Sequence, residues 1–401
     1  MICSFEGRLA GTDAERRLAN RLAAELESPS RRVEVEPTYV QPQWAIVHLL
    51  HCALAVAGSI VAAAEPGVGF GLVLLAATSA YLDLSTRHYL LRRLLFRRAS
   101  QNVYARATGT ASGAPRVVLC ANLDAARTGA IYNRLPMRLL DAAGRHLPVV
   151  SSPARIWFWS IALLLPPIGA RMAGLDVGWL SILQLPQTLI LIGAIFALGE
   201  IALSPTSPGA NSNASGIAGV LSLARHFDAN PPSNLAVDFA ICGGGETTMQ
   251  GMRSFVRSHR EELRSGEARF ISLESVGRGE PRFVVSQGLA VSLPMDPELS
   301  SLCEAIALAT DEHVPEAMRD GFISAAWVAR AYGHAAIAIT SREAGRALPK
   351  NHHTPADGPA NVDLEAIERA AAFAEQLVRL LDRDLVRRAS HEPTFAEVRP
   401  A

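Results

Sequence analysis

Four long apolar stretches govern what this chain of 401 residues can fold into. The first, WAIVHLLHCALAVAGSIVAAA from Trp44 to Ala64, carries no formal charge and as a helix is long enough to cross a hydrocarbon layer of about 30 Å. Glu65-Pro66-Gly67 breaks it, and a second run from Val68 to Leu82 ends at Asp83; the two read as a transmembrane hairpin. A second hairpin is expected from IWFWSIALLLPPIGA, beginning at Ile156, a break over Arg171 to Asp176, and a run that continues to Glu200, with Pro166, Pro167 and Pro186 as kink sites. The first helix of that pair is short before Arg171, so a tilted or re-entrant segment is an alternative to a full span. Buried core helices are the alternative for all four runs, and their length and lack of charge argue against it.

Two hairpins bring the chain back twice to the same side. The sequence therefore divides into residues 1–42, 99–152 and 204–390, which are free to form one domain, with membrane segments 43–98 and 153–203 inserted into it and a tail from 391 to 401. The first hairpin runs into RHYLLRRLLFRRAS, where Arg87, Arg92, Arg93, Arg97 and Arg98 alternate with Leu and Phe. Such a segment reads as lipid-facing and cytoplasmic, which predicts a multi-pass protein of the cell membrane, its soluble domain in the cytoplasm and membrane lipid among its partners. Met1 to Pro42 lacks the apolar core of a signal peptide. The 38 basic and 38 acidic side chains balance, so no net field recruits nucleic acid. Five scattered cysteines without CxxC spacing predict buried free thiols rather than disulfides or a thiolate zinc site. His48 and His51 share one face of the first span and read as hydrogen-bonded interior residues, with a metal pair as the alternative.

Outside the apolar runs the pattern is that of an α/β sheet with helices on both faces. Ala14, Leu18, Leu22 and Leu26 fall four apart after Thr12 and Asp13, either of which suits a helix cap. VEVEP, RVVLCA, LAVDFAIC, RFISL, FVVS and Ala335 to Thr340 read as strands; Leu299 to Thr310 and Asp363 to Leu381 read as helices. In SPTSPGANSNASGIAGVLSLARHF, a small polar loop from Ser204 leads at Ala214 into a helix whose apolar residues are Ile217, Val220, Leu221, Leu223 and Ala224. GGGE lacks the Lys and Ser/Thr of a phosphate loop, and Ser212 and Ser215 lie in no GxSxG elbow.

The loop ANSNASGIA resembles the GAxDNASGxA segment of peptidase family M28, the zinc aminopeptidases. ANLD at the end of a strand, GGGETTMQG, ISLESVGRG and KNHHTPAD follow in the order that family places them, and GRLAGT near the start resembles its opening turn. The resemblance implies a zinc-aminopeptidase-like sheet and a centre in which two zinc ions share a carboxylate while a Glu takes a proton from the attacking water. Residue by residue it implies Glu246, Glu274 and His353 as remnant metal ligands, Glu274 standing where Asp is usual, and Asp124 as the residue that orients a His ligand. That His is Asn122 here, the bridging Asp is Ser212, and the base is Gly245. Ser and Asn are weak zinc ligands and Gly has no side chain to act as a base. The expectation is a membrane-anchored M28 peptidase-like protein with lost or impaired zinc-dependent aminopeptidase activity and a binding or scaffold role for a peptide or protein ligand. Zinc is then expected at reduced stoichiometry or not at all, for instance one ion on Glu246 and His353 with His352 or Glu274 as third donor. The alternative is an active metallo-aminopeptidase with an altered metal site, for which Glu200 is the nearest replacement base in sequence. A transporter-like role ranks behind both, because the spans hold few ionisable residues.

Overall fold

The computed structural model describes residues 1–391 apart from 110–113, 148–149, 176, 266 and 347. Thr12 is the cap of the first helix, α1 (Asp13–Leu26): its Oγ1 accepts the Glu15 N–H at 3.3 Å. Leu18, Leu22 and Leu26 are fully buried as their spacing requires. The chain continues through β1 (Arg31–Val40), α2 (Trp44–Val61), α3 (Pro66–Leu84), β2 (Arg98–Ala107), β3 (Arg116–Asn122), α4 (Arg134–His146), α5 (Pro153–Met172), α6 (Trp179–Leu203) and α7 (Ser215–Ala229). Then follow β4 (Ala236–Cys242), α8 (Gln250–Ser258), α9 (Arg260–Ser265), β5 (Arg269–Leu273), β6 (Glu280–Gln287), β7 (Leu293–Pro294), α10 (Pro297–Leu308), β8 (Glu316–Asp320), α11 (Ala325–Ala331), β9 (Ala335–Arg342) and α12 (Leu364–His391).

Nine strands form one mixed sheet in the order β1-β2-β4-β3-β5-β9-β6-β7, with β8 paired to β6. The central strands β4, β3, β5 and β9 are mutually parallel; β2 runs antiparallel to β1 and β4, and β6 runs antiparallel to β9 and β7 but parallel to β8. Both faces are covered: α1, α7, α10 and α12 pack on one core, while α8 and α11 pack on the other. The strand β3 is buried along its whole length, which is why RVVLCA reads as an unbroken apolar run.

The four apolar runs fold as four helices in a ring, α2 against α3, α3 against α5, α5 against α6 and α6 against α2, around their own core. Three of them, α2, α3 and α6, are long and apolar enough to cross a membrane. The expected fourth span, α5, is not among them. Its first turn carries Arg155, which is buried and donates to the Gly288 carbonyl at 2.8 and 3.0 Å and to Ser292 Oγ at 2.6 Å, so this helix starts as an anchor on the sheet domain.

The basic segment after α3 also differs from its expectation. Arg87, Arg93, Arg97 and Arg98 are exposed, but Arg92 is fully buried and clasps Asp83 through Nε at 2.8 Å and Nη2 at 2.5 Å. A charge flanking an apolar run was available as a buried partner for the carboxylate at the end of α3, and pairing satisfies both. Within the helices His51 Nε2 lies 2.8 Å from Ser79 Oγ, and His48 Nδ1 lies 3.4 Å from His51 Nδ1. Cys52, Cys120, Cys242 and Cys303 are buried free thiols, and Cys3 is half-buried.

Candidate functional site

The parallel strands carry their loops to one side of the sheet, the position where open α/β sheets place their sites. Asn122 ends β3, Gly245 and Glu246 follow β4, Glu274 follows β5, and Arg342 ends β9. The loop into α7 is held against these ends by backbone contact: a Cβ on Gly216 would fall 2.1 Å from the Leu273 carbonyl oxygen, so only glycine lets α7 approach β5.

The helix entry is capped from far away. Residues Ala210–Ala214 form a single π-helical turn, and the loop's own Ser and Asn side chains do not cap it. Asp357, at the end of HHTPAD, accepts the N–H groups of Asn211 at 2.7 Å and Ser212 at 3.2 Å, and the Ser212 hydroxyl at 2.7 Å. Burial raises the pKa of Asp357 above the usual carboxylate value, although these donors pull against it. Ser212 is thus a fastener of the loop through its hydroxyl.

Asp124 is fully buried beneath the glycine turn. It accepts the N–H groups of Gly245 at 2.6 Å and Glu246 at 3.2 Å. Burial, then the nearby carboxylates of Glu15 and Glu246, push its pKa well above the usual value. The turn it supports is tightly packed: a Cβ on Gly245 would lie 2.6 Å from Asn122 Cγ and 2.8 Å from its Cβ and Oδ1.

Glu246 faces His353, Oε2 to Nε2 being 3.2 Å, and accepts from Asn213 Nδ2 at 3.2 Å. Burial opposes its ionisation, but the His353 ring, the Asn213 amide and the Arg8 charge together hold the carboxyl below its usual pKa. His353 itself sits at φ +52°, a conformation uncommon for a residue with a Cβ. His352 stacks on it with ring centroids 3.6 Å apart, and Tyr132 meets His353 edge-on at 4.8 Å. Glu274 accepts the Ala325 N–H at 2.8 Å and hydrogen-bonds Asn122. Burial pushes its pKa up to about 8, and the negative charges of Glu246 and Asp320 add to the shift.

Asn122, Ser212, Gly245, Glu246, Glu274, His352 and His353 all border one cavity of about 500 Å³, a size ordinary for a small-molecule site. Asp124 lies behind it. Glu200 is exposed at the end of α6, accepts the Ala130 N–H at 3.0 Å and Ser204 Oγ at 2.8 Å, and does not border the cavity. Sequence reasoning did not find Tyr132, or the buried ion pair of Arg342 Nη2 with Asp320 Oδ2 at 3.0 Å that borders the same space. Nor did it find that the far wall belongs to the helix ring, through Trp44, Trp157 and one face of α6. Adjacency of distant apolar residues leaves no local signal; the only hint was that both insertions fall beside loops of the site.

Position 122 offers this cavity an amide, position 212 a hydroxyl and position 245 no side chain. Among the described residues no group of three His, Cys, Asp or Glu side chains is placed to hold a metal. Glu246 and His353 face each other, Glu274 accepts the Ala325 N–H and hydrogen-bonds Asn122, and the Ser212 hydroxyl donates to Asp357.

Residues 198–378, less than half of the chain, match peptidase family M28. A probable lipoprotein aminopeptidase, LpqL of Mycobacterium tuberculosis, is 33% identical over 92 residues, which is 23% of this chain and 18% of the relative; the chain thus matches under a fifth of that protein's length. Solved structures of the same fold include a leucine aminopeptidase precursor of Bacteroides thetaiotaomicron (TM-score 0.52, 14% identity, 94% of this chain and 93% of that one). The glutaminyl cyclase of that organism is similar at TM-score 0.54, 14% identity and 94% of both chains. An aminopeptidase from Aneurinibacillus sp. strain AM-1 is similar at TM-score 0.54, 12% identity, 94% of this chain and 91% of that one. The chain therefore has the fold shared by these aminopeptidases and cyclases, and its 198–378 segment is supported as that of peptidase family M28.

Proposed function

We propose that this protein is a membrane-anchored M28-fold protein whose cleft binds a ligand without the two-zinc hydrolysis of the family. The sheet domain stands on the cytoplasmic side, anchored by the apolar helices in membrane lipid, and nucleic acid is not a partner. The observation that carries this reading is Gly245. The position that would supply the base has no side chain, and Asn122 occupies the space one would need. The occupation of Ser212 by Asp357 supports it at the bridging position.

Elemental analysis of the detergent-purified full chain, with release of N-terminal residues from a peptide pool as the companion assay, tests this reading. The expected result is fewer than two zinc ions per chain and no release. Two ions per chain, or release of N-terminal residues, would overturn it. A second reading, a single metal on Glu246 and His353 supporting residual aminopeptidase activity, is favoured by the ring nitrogens of both His352 and His353, which are buried without hydrogen-bond partners beside Glu246. It predicts one ion per chain, and His353→Ala removing both ion and activity.

A further inference from the structure

The cavity has two chemically different ends. At the sheet, Asn122 is only 5% exposed, yet its Oδ1 has no hydrogen-bond partner, and it borders the same space as the Glu246 carboxylate. A buried acceptor without a donor is costly, so this end is built to receive a group carrying N–H or O–H. At the helix ring the wall carries His48 and the indoles of Trp44 and Trp157 on one side and is apolar along α6. On α6, Ile190, Gly193, Ala194, Ala197, Leu198 and Ile201 all border the cavity. Their spacing places them on one helix face over about 16 Å at about 1.5 Å per residue. Gly193 and the two alanines leave this face hollow, and a Cβ on Gly193 would meet no atom within 4 Å.

From this juxtaposition we infer that the cavity binds a single-chain lipid, its hydroxyl- or amine-bearing head between Asn122 and Glu246 and its hydrocarbon chain along the hollow face of α6. The inference rests on the reading of the cleft as a binding site. A peptide is the poorer occupant because its backbone would set an N–H and a C=O at every residue along the α6 face, whose six lining residues offer them no partner. A hydrocarbon chain makes no such demand. Two of the helices bordering the apolar end, α2 and α6, are long and apolar enough to span a membrane, so the ligand has a route from the bilayer without crossing water.

The test uses the full chain in detergent and radiolabelled 1-oleoylglycerol as the probe. Saturable binding near one per chain is expected. Gly193→Phe should weaken it by about tenfold, as expected when a ring takes the place of buried hydrocarbon, and Asn122→Leu should weaken it through the head. Gly193→Phe projects into open space, so its thermal unfolding is expected to match the parent and the loss is read as loss of the site. Binding that is unsaturable, or indifferent to Gly193→Phe, overturns the inference. So does a hydrophobic peptide that displaces the probe while Gly193→Phe leaves peptide affinity unchanged. Zinc is measured on the same sample: two ions overturn the reading of the cleft, whereas a zinc-free protein that does not bind the probe overturns only the lipid.

Discussion

Ser212, where the family resemblance implies a bridging carboxylate, has a structural role here. Its hydroxyl donates to Asp357 Oδ2 at 2.7 Å within a turn whose N–H groups rely on the same carboxylate. Ser212→Ala is therefore expected to destabilise the protein by about 1.5–3 kcal/mol, the range for a hydrogen bond to a charged group, read by chemical denaturation in detergent. Ser212→Asp makes a sharper case, since it sets a second carboxylate against Asp357 with Glu246 nearby. It should lower Tm more than Ser212→Ala, and millimolar zinc should not restore it; full recovery with zinc would show that the remaining donors still assemble a metal centre. That Asn122, Gly245, Glu246, Glu274 and His353 share one site was legible in the sequence, because short motifs single them out and all five border the same cavity. What they do was less so. That Asn122 fills the space beside Gly245, and that Asp124 braces the turn, are consequences of packing between strands that only the fold brings together.

Among the elements, those with strong periodicity were legible and those whose pairing depends on distant partners were not. The helix α1, the buried strand β3 and the α7 entry follow from apolar spacing and glycine placement. By contrast β2 (Arg98–Ala107) was hidden in a sequence of mixed polarity, RASQNVYARA, because its neighbours β1 and β4 bury polar Gln101 and Asn102 with it. The edge strand β1 is tied to the end of α8 by His259 Nε2 and Glu36 Oε1 at 2.7 Å. The hydrogen bond to Glu36 raises the His259 pKa, with burial opposing. A group whose folded pKa lies above its unfolded value contributes stability that is fully present below the unfolded pKa and disappears as pH rises through the folded one. Glu36→Gln should therefore lower Tm clearly at pH 6, below the ordinary value of 6.5, and progressively less as the solution becomes alkaline. A Tm difference that grows with pH would contradict the assignment.

At the scale of the whole molecule, the helix ring and the sheet domain share both a cavity and a charged joint. Arg92 joins them: it is bound to Asp83 at the end of α3, and its Nη1 reaches the carbonyl oxygens of Gln41 at 3.3 Å and Thr247 at 3.4 Å. Thr247 belongs to the glycine turn of the cleft, so the geometry of that turn depends on the seating of the first hairpin. Asp83→Asn would leave the guanidinium charge buried without its counter-ion, a loss of about 3–5 kcal/mol for a fully desolvated pair. Replacing both residues, Asp83→Leu with Arg92→Leu, removes the charges together and should cost less than Asp83→Asn alone. The two variants also separate stability from coupling. If the joint transmits the seating of the hairpin to the cleft, the double variant should remain folded by thermal unfolding while binding the cavity's ligand more weakly, because the contact from Arg92 to Thr247 is gone. Unchanged binding in a folded double variant would mean that the sheet domain holds the turn without Arg92, through contacts such as those of Asp124 and Gln250.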